Sequence, residues 1–173
     1  MKLIAPVVLT ALAVLTSSAV ADDTLAKFKG GIGVIPVSAA VGAASPAETV
    51  NRNIVRGVPP PGQIWTIRDL DATVKTDGSI RVRGRGLLLA GGNTLGSNAG
   101  ARVFATLICE TAAPFTEHST TAAGVPLAPN GDFEIDDLLS PAPPAPTACA
   151  NPVLLIRNAG NLAWFAAGIP DLD

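Results

Sequence analysis

Past residue 21, no window of a dozen residues in this chain carries a clean 3.6-residue apolar period between helix caps, because proline and glycine recur along its whole length. A proline inside a helix removes a hydrogen bond and collides with the preceding turn, and a glycine there costs backbone entropy, so a helical domain is excluded. What remains are short β-branched or aliphatic runs between clusters of Gly, Pro, Asn and Asp. That is the pattern of an all-β protein. The expected fold is an antiparallel β-sandwich of immunoglobulin-like or Greek-key type with about seven to nine short strands, or else a small β-barrel.

The candidate strands are Ile32–Val37, Asn53–Val58, Ile64–Lys75, Ser79–Leu89, Arg102–Cys109, Phe133–Leu138, Val153–Arg157 and Leu162–Ala167. Pro36 restricts the first of them to a sheet edge. Residues 22–62 are poor in large apolar side chains over much of their length and are expected to be partly irregular.

The most readable unit is RDLDATVKTDGSIRVRGRG, residues 68–86. Leu70, Ala72 and Val74 alternate with Asp69, Asp71, Thr73 and Lys75, and Ile80 and Val82 alternate with Arg81, Arg83 and Arg85. A two-residue Asp77-Gly78 turn would set Val74 against Arg81 and mix the two faces. A three-residue loop, Thr76-Asp77-Gly78 with Gly78 left-handed, keeps them apart. The expected register is therefore Val74 with Ile80, Ala72 with Val82, Thr73 with Arg81, Asp71 with Arg83 and Asp69 with Arg85.

The first 21 residues follow a different plan. Lys2, an apolar run from Leu3 to Leu15 and a small-residue end at Ala19-Val20-Ala21 form the three parts of a secretory leader cleaved after Ala21. The run is shorter than the ~20 residues that cross a bilayer. No later stretch spans either, since the apolar residues 152–169 are interrupted by Arg157, Asn158 and Asn161. Cleavage leaves 152 residues, enough for one domain with a core of its own, with one lysine fewer, so the net charge moves from −2 to −3. A weakly acidic chain of this kind has no electrostatic footprint for nucleic acid. The expected destination is the periplasm or the outside of the cell.

An oxidising destination makes the two cysteines a pair. A Cys109–Cys149 disulfide closes a loop of about 41 residues, which in the chain-entropy description contributes about 4 kcal/mol. It would tie the end of the Arg102–Cys109 strand to the approach into the Val153–Arg157 strand, and fix one end of the proline-rich segment SPAPPAPTACANP.

The same pairing removes most chemistry from the stretch around it. Glu117, His118 and Ser119 carry the letters of a hydrolytic triad, but neighbours in an extended segment point to opposite sides and cannot bond in series. His118 is expected to be a solvated loop residue. With one histidine in the chain and both cysteines paired, the ligand sets of blue copper, structural zinc, haem and iron–sulfur centres are missing. The glycine-rich segment at 91–100 lacks both the Lys-Ser/Thr ending of a P-loop and a helix to open. No cofactor is expected.

Two charged groupings are left. Asp132, Glu134 and Asp136 share one side of a strand by period two, and oxygen ligands at a turn-to-strand boundary suit calcium. If their strand neighbours Ser79–Leu89, the same acids would instead pair with Arg81, Arg83 and Arg85. Those three guanidiniums form a candidate charged patch for an anionic polymer or a carboxylate-bearing partner. Trp65 and Trp164 sit in apolar strands and are expected in the core, which leaves sugar recognition without an aromatic platform. The reading that follows is an exported, non-catalytic binding, surface or structural protein whose partner is a protein or a cell-envelope component. A hydrolase using an unrecognised pair of carboxylates is the alternative.

Overall fold

The computed structural model describes residues 23–41 and 49–172. The expected leader, residues 1–21, lies outside them. The described strands are β1 (Thr24–Gly33), β2 (Val37–Val41), β3 (Thr49–Arg52), β4 (Trp65–Thr66), β5 (Asp69–Lys75), β6 (Ser79–Arg85), β7 (Leu88–Leu89), β8 (Arg102–Ile108), β9 (His118–Ser119), β10 (Val125–Pro126), β11 (Phe133–Leu138), β12 (Val153–Asn158) and β13 (Trp164–Pro170). One turn of 3-10 helix, Pro146–Ala148, is the only helical element among the described residues. Every pairing is antiparallel. The all-β expectation is met, and of its two forms the small barrel describes the molecule better. One sheet of order β10-β8-β12-β13-β1-β5-β6-β11 wraps a single core, with β9 added beside β8.

The β5–β6 hairpin shows how patterning sets this wall. Val74 pairs with Ile80, Ala72 with Val82, Thr73 with Arg81, Asp71 with Arg83 and Asp69 with Arg85. Gly78 has φ +90°, the left-handed geometry that the three-residue loop requires. The register thus keeps Leu70, Ala72, Val74, Ile80 and Val82 buried on one side and the charged residues outside. One residue breaks the strand pattern for a packing reason. Gly84 stands opposite Phe133, whose ring would overlap a β-carbon placed there.

β8, β12 and β13 are buried on both faces over most of their length. The segment 53–60 covers part of their outer side. Trp164 Nε1 donates to the Asn53 carbonyl at 2.9 Å and the Trp164 amide to the Pro59 carbonyl at 3.0 Å. Both tryptophans are buried as expected, and Trp65 stacks on Phe165 with ring centroids 4.0 Å apart. Cys109 and Cys149 are joined, at the point where the register of β8 with β12 pairs Ile108 with Val153. Arg56 braces the same corner by donating to the carbonyls of Ile108 at 2.6 Å and Asn151 at 2.7 Å.

The barrel closes across a seam between β9–β10 and β11. Ser119 and Ser140 exchange backbone hydrogen bonds of 3.1 and 2.8 Å, and the Thr121 amide donates to Asp137 Oδ2 at 2.8 Å.

Several expected boundaries are corrected. The region expected to be partly irregular opens with the ten-residue strand β1, in which Ala26 and Phe28 are buried and Lys27 and Lys29 exposed. Instead of a strand at Asn53–Val58 there is a tight two-residue turn. Arg56 and Gly57 have φ +45° and +83°, and Val55 and Val58 exchange hydrogen bonds across it. The expected strand Ile64–Lys75 is split between β4 and β5, and Ser79–Leu89 between β6 and β7, where Gly86 takes φ +66° and turns the chain.

Candidate functional site

The neighbouring strands β1, β5, β6 and β11 send their alternate apolar residues inward and their charges outward, even-numbered residues inward on β1, β5 and β6 and odd-numbered on β11, so the outer face of this wall is a lattice of ions. Lys29 pairs in register with Asp71, Asp71 with Arg83, and Arg83 with Glu134. One step along, Lys27 pairs with Thr73, Thr73 with Arg81, and Arg81 with Asp136. Asp69 and Arg85 make the start of a third row. Across these rows each strand carries one sign, basic on β1, acidic on β5, basic on β6 and acidic on β11; Lys75, at the far end of β5 beyond the rows, pairs with Asp23 instead. All these charged side chains belong to exposed residues.

The structure brings the two sequence-predicted groupings together as partners. Arg81 Nη2 lies 2.5 Å from Asp136 Oδ2, and Arg83 Nε lies 3.2 Å from Glu134 Oε1. The hydrogen bond from Arg81 to Asp136 holds the guanidinium pKa above its ordinary value. Asp132 accepts from the Gly86 amide at 3.0 Å and from Asn130 Nδ2 at 2.9 Å, with Arg68 Nη2 at 3.9 Å. The calcium expectation for Asp132, Glu134 and Asp136 therefore gives way to arginine and amide partners. Among the described residues no three His, Cys, Asp or Glu side chains gather as a metal ion would require.

Five charges of the lattice, Lys27, Lys29, Asp69, Asp71 and Arg85, form no ion pair among the described residues. Lys27 and Lys29 were not among the sequence candidates. Their signal was the alternation of Ala26 and Phe28 with the two lysines, close after the expected leader and ahead of a glycine pair.

In the stretch from Glu117 to Ser119 each side chain has a partner within the fold, and His118 is not the solvated residue expected. It is buried in β9, where pairing with β8 turns its ring toward the seam, and Nδ1 stands 2.9 Å from the Pro141 carbonyl. Glu117 instead reaches Arg157, and the Ser119 hydroxyl shares a 2.9 Å hydrogen bond with Thr106. The three letters of a triad point to three different partners.

Three carboxyls are held below the ordinary carboxylate range. For Asp77 the chief cause is the Ser79 hydroxyl, for Glu110 the backbone amide of Thr116, and for Asp137 the backbone amide of Thr121. Hydrogen bonds of this kind favour the charged form, which suits anchoring rather than proton transfer at neutral pH.

One apolar hollow of about 550 Å³ lies at a barrel end, walled by Trp65, Phe165, Ala99, Ala101, Ala123 and Ala159. Arg102 at its side donates to the carbonyls of Ala123 and Gly124 at 2.8 and 2.5 Å, so its charge is already engaged. No protein-family model, no curated protein and no solved structure matches this chain.

Proposed function

We propose that this chain is an exported, non-catalytic binding or structural protein of the cell surface or periplasm, and that the charge-striped outer face of β1, β5, β6 and β11 is its contact surface. The observation that carries the reading is the alternation of sign from strand to strand on a wall whose other side is the core. Charge complementarity of this kind selects partners and speeds their encounter. The disulfide is compatible with export, and no helix among the described residues is long and apolar enough to cross a membrane.

The carboxylates support the same reading against a hydrolase. A catalytic acid working near neutral pH needs a raised pKa and a concave setting, whereas the acids with shifted values here are held low and are engaged by local donors.

Two measurements test the proposal. The intact mass of the exported protein should begin at Asp22, and alkylation should add nothing until a reductant is present. Purified protein should sediment with the cell-envelope fraction of its host at low salt, and the variant with Arg81, Arg83 and Arg85 all replaced by serine should lose most of that binding. Equal sedimentation of the two proteins would remove the striped face from the function.

A further inference from the structure

The order of signs across the wall is basic, acidic, basic, acidic. Reversed, it becomes acidic, basic, acidic, basic, so the face is complementary to itself. We propose that two copies of this chain pair face to face through this wall, about a two-fold axis that runs along the strands between β5 and β6. The inference rests on reading the striped face as a contact surface, and names its partner as a second copy.

The register makes the complementarity specific to residues. An axis in that position exchanges β5 with β6 and β1 with β11 while keeping each row at its own level along the strands. Asp71 of one copy then meets Arg83 of the other, and Asp69 meets Arg85. Lys29 meets Glu134 and Lys27 meets Asp136, because each pair lies in one row at opposite ends. Every charge left without an ion pair inside one copy gains an opposite charge in the second. A two-fold axis makes each contact occur twice, as an isologous interface requires.

Other placements of the axis fail on charge. Centred on β5 or on β6, the axis would set like-charged stripes directly against each other, and like charges directly opposed are unfavourable. Strand spacing of about 4.8 Å and a two-residue repeat of about 6.8 Å fix the pitch of the lattice, so a shift by one strand replaces attraction with repulsion. The curvature of the wall confines close contact to β5 and β6. The long lysine side chains of β1 and the carboxylates of β11 bridge the outer gap.

Such a dimer is held by exposed ions and must respond to salt. Sedimentation equilibrium at about 10 mM salt, where the screening length is about 30 Å, should give twice the monomer mass; at about 1 M, where it is about 3 Å, it should give the monomer. Two variants carry the decisive test. One has Asp69→Arg and Asp71→Arg, so the two rows at the centre of its stripes are all basic; the other has Arg83→Asp and Arg85→Asp, so the same two rows are all acidic.

Each variant alone should be monomeric at low salt, and an equimolar mixture should form a one-to-one heterodimer. Circular dichroism verifies the fold of each, and the milder pair Asp69→Arg with Arg85→Asp serves if either double variant does not fold. A wild-type monomer at low salt overturns the inference. So does a dimer that ignores both salt and the variants, or a mixture that stays monomeric. A wild-type monomer whose envelope binding still needs Arg81, Arg83 and Arg85 would overturn the pairing and leave the contact-surface reading standing.

Discussion

The Arg157 guanidinium, whose side chain is 5% exposed, stands 2.6 Å from a Glu117 carboxylate that is 47% exposed, so a cation buried in the barrel wall is neutralised from the surface. Its Nε donates to the Leu162 carbonyl at 2.9 Å and its Nη1, more weakly, to the Thr106 hydroxyl at 3.4 Å, and its Cζ lies 5.2 Å from the centre of the Phe104 ring. Glu117→Ala leaves that charge without its counter-ion and should cost about 1–3 kcal/mol of stability. Adding Arg157→Met removes the charge itself, so the double variant should be less destabilised than the sum of the two singles. Urea denaturation of the four proteins measures the coupling. Strict additivity would show that the pair does not act as a unit.

Phe133 and Gly84 offer a second paired test. A β-carbon at residue 84 would stand 2.0 Å from Cε1 of Phe133, far inside van der Waals contact. Gly84→Ala should therefore displace the ring and cost about 1–3 kcal/mol. Phe133→Leu in the same chain should recover part of that loss. Gly84→Ala with unchanged stability would mean that the ring has room to move.

The same strands show what the amino-acid sequence made legible. Strict alternation and a three-residue loop containing glycine placed the hairpin of β5 and β6 to the residue, because one face is apolar and any slip would bury charge. The disulfide was legible from cysteine count and expected compartment. β1 was missed although Ala26 and Phe28 alternate with Lys27 and Lys29, since two glycines interrupt a short period. The burial of His118 had no local signal: its ring is turned inward by pairing with β8 and by the Pro141 carbonyl, both distant in sequence. The striped face was half legible, as acids and arginines on separate strands. Which of them are neighbours is a property of strand order, which period-two patterning does not encode.

Asp137 should make the seam sensitive to acid. The Thr121 amide holds its carboxyl below the ordinary range, so the folded state binds the proton less tightly than the unfolded chain. Its contribution is complete above the unfolded value of about 3.9 and is lost as pH falls through the lower folded value. Asp137→Asn should be less stable than wild type by up to about 1 kcal/mol at pH 7, and the gap should close below about pH 4. Thermal melts across that range decide the matter. Two parallel curves would show that the charge of Asp137 is not what supports the seam.

Reduction of Cys109–Cys149 should lower stability by about 4 kcal/mol in the chain-entropy description, given a sequence separation of 40. The corner it closes is also braced by Arg56, whose pKa is lowered by partial burial and partly restored by Glu110. Arg56→Ala should therefore cost more in the reduced protein than in the oxidised one. Equal costs in the two redox states would mean that the brace and the disulfide hold different parts of the wall.

Replacing Arg81, Arg83 and Arg85 should hardly affect the fold, because the two pairs formed by Arg81 and Arg83 are exposed at both ends, where water and salt screen them. The opposite side of the same wall behaves differently. Leu70 is fully buried in β5, and Leu70→Ala removes core contacts at a cost of about 2–5 kcal/mol. The expected result is a serine triple variant that melts within a few degrees of wild type and a Leu70→Ala variant that melts far lower. That contrast is what allows loss of envelope binding, or of pairing between copies, to be assigned to the charged face. A triple variant that unfolds as readily as Leu70→Ala would mean that the arginines hold β6 against β11, and the lattice would then be a structural element of the barrel.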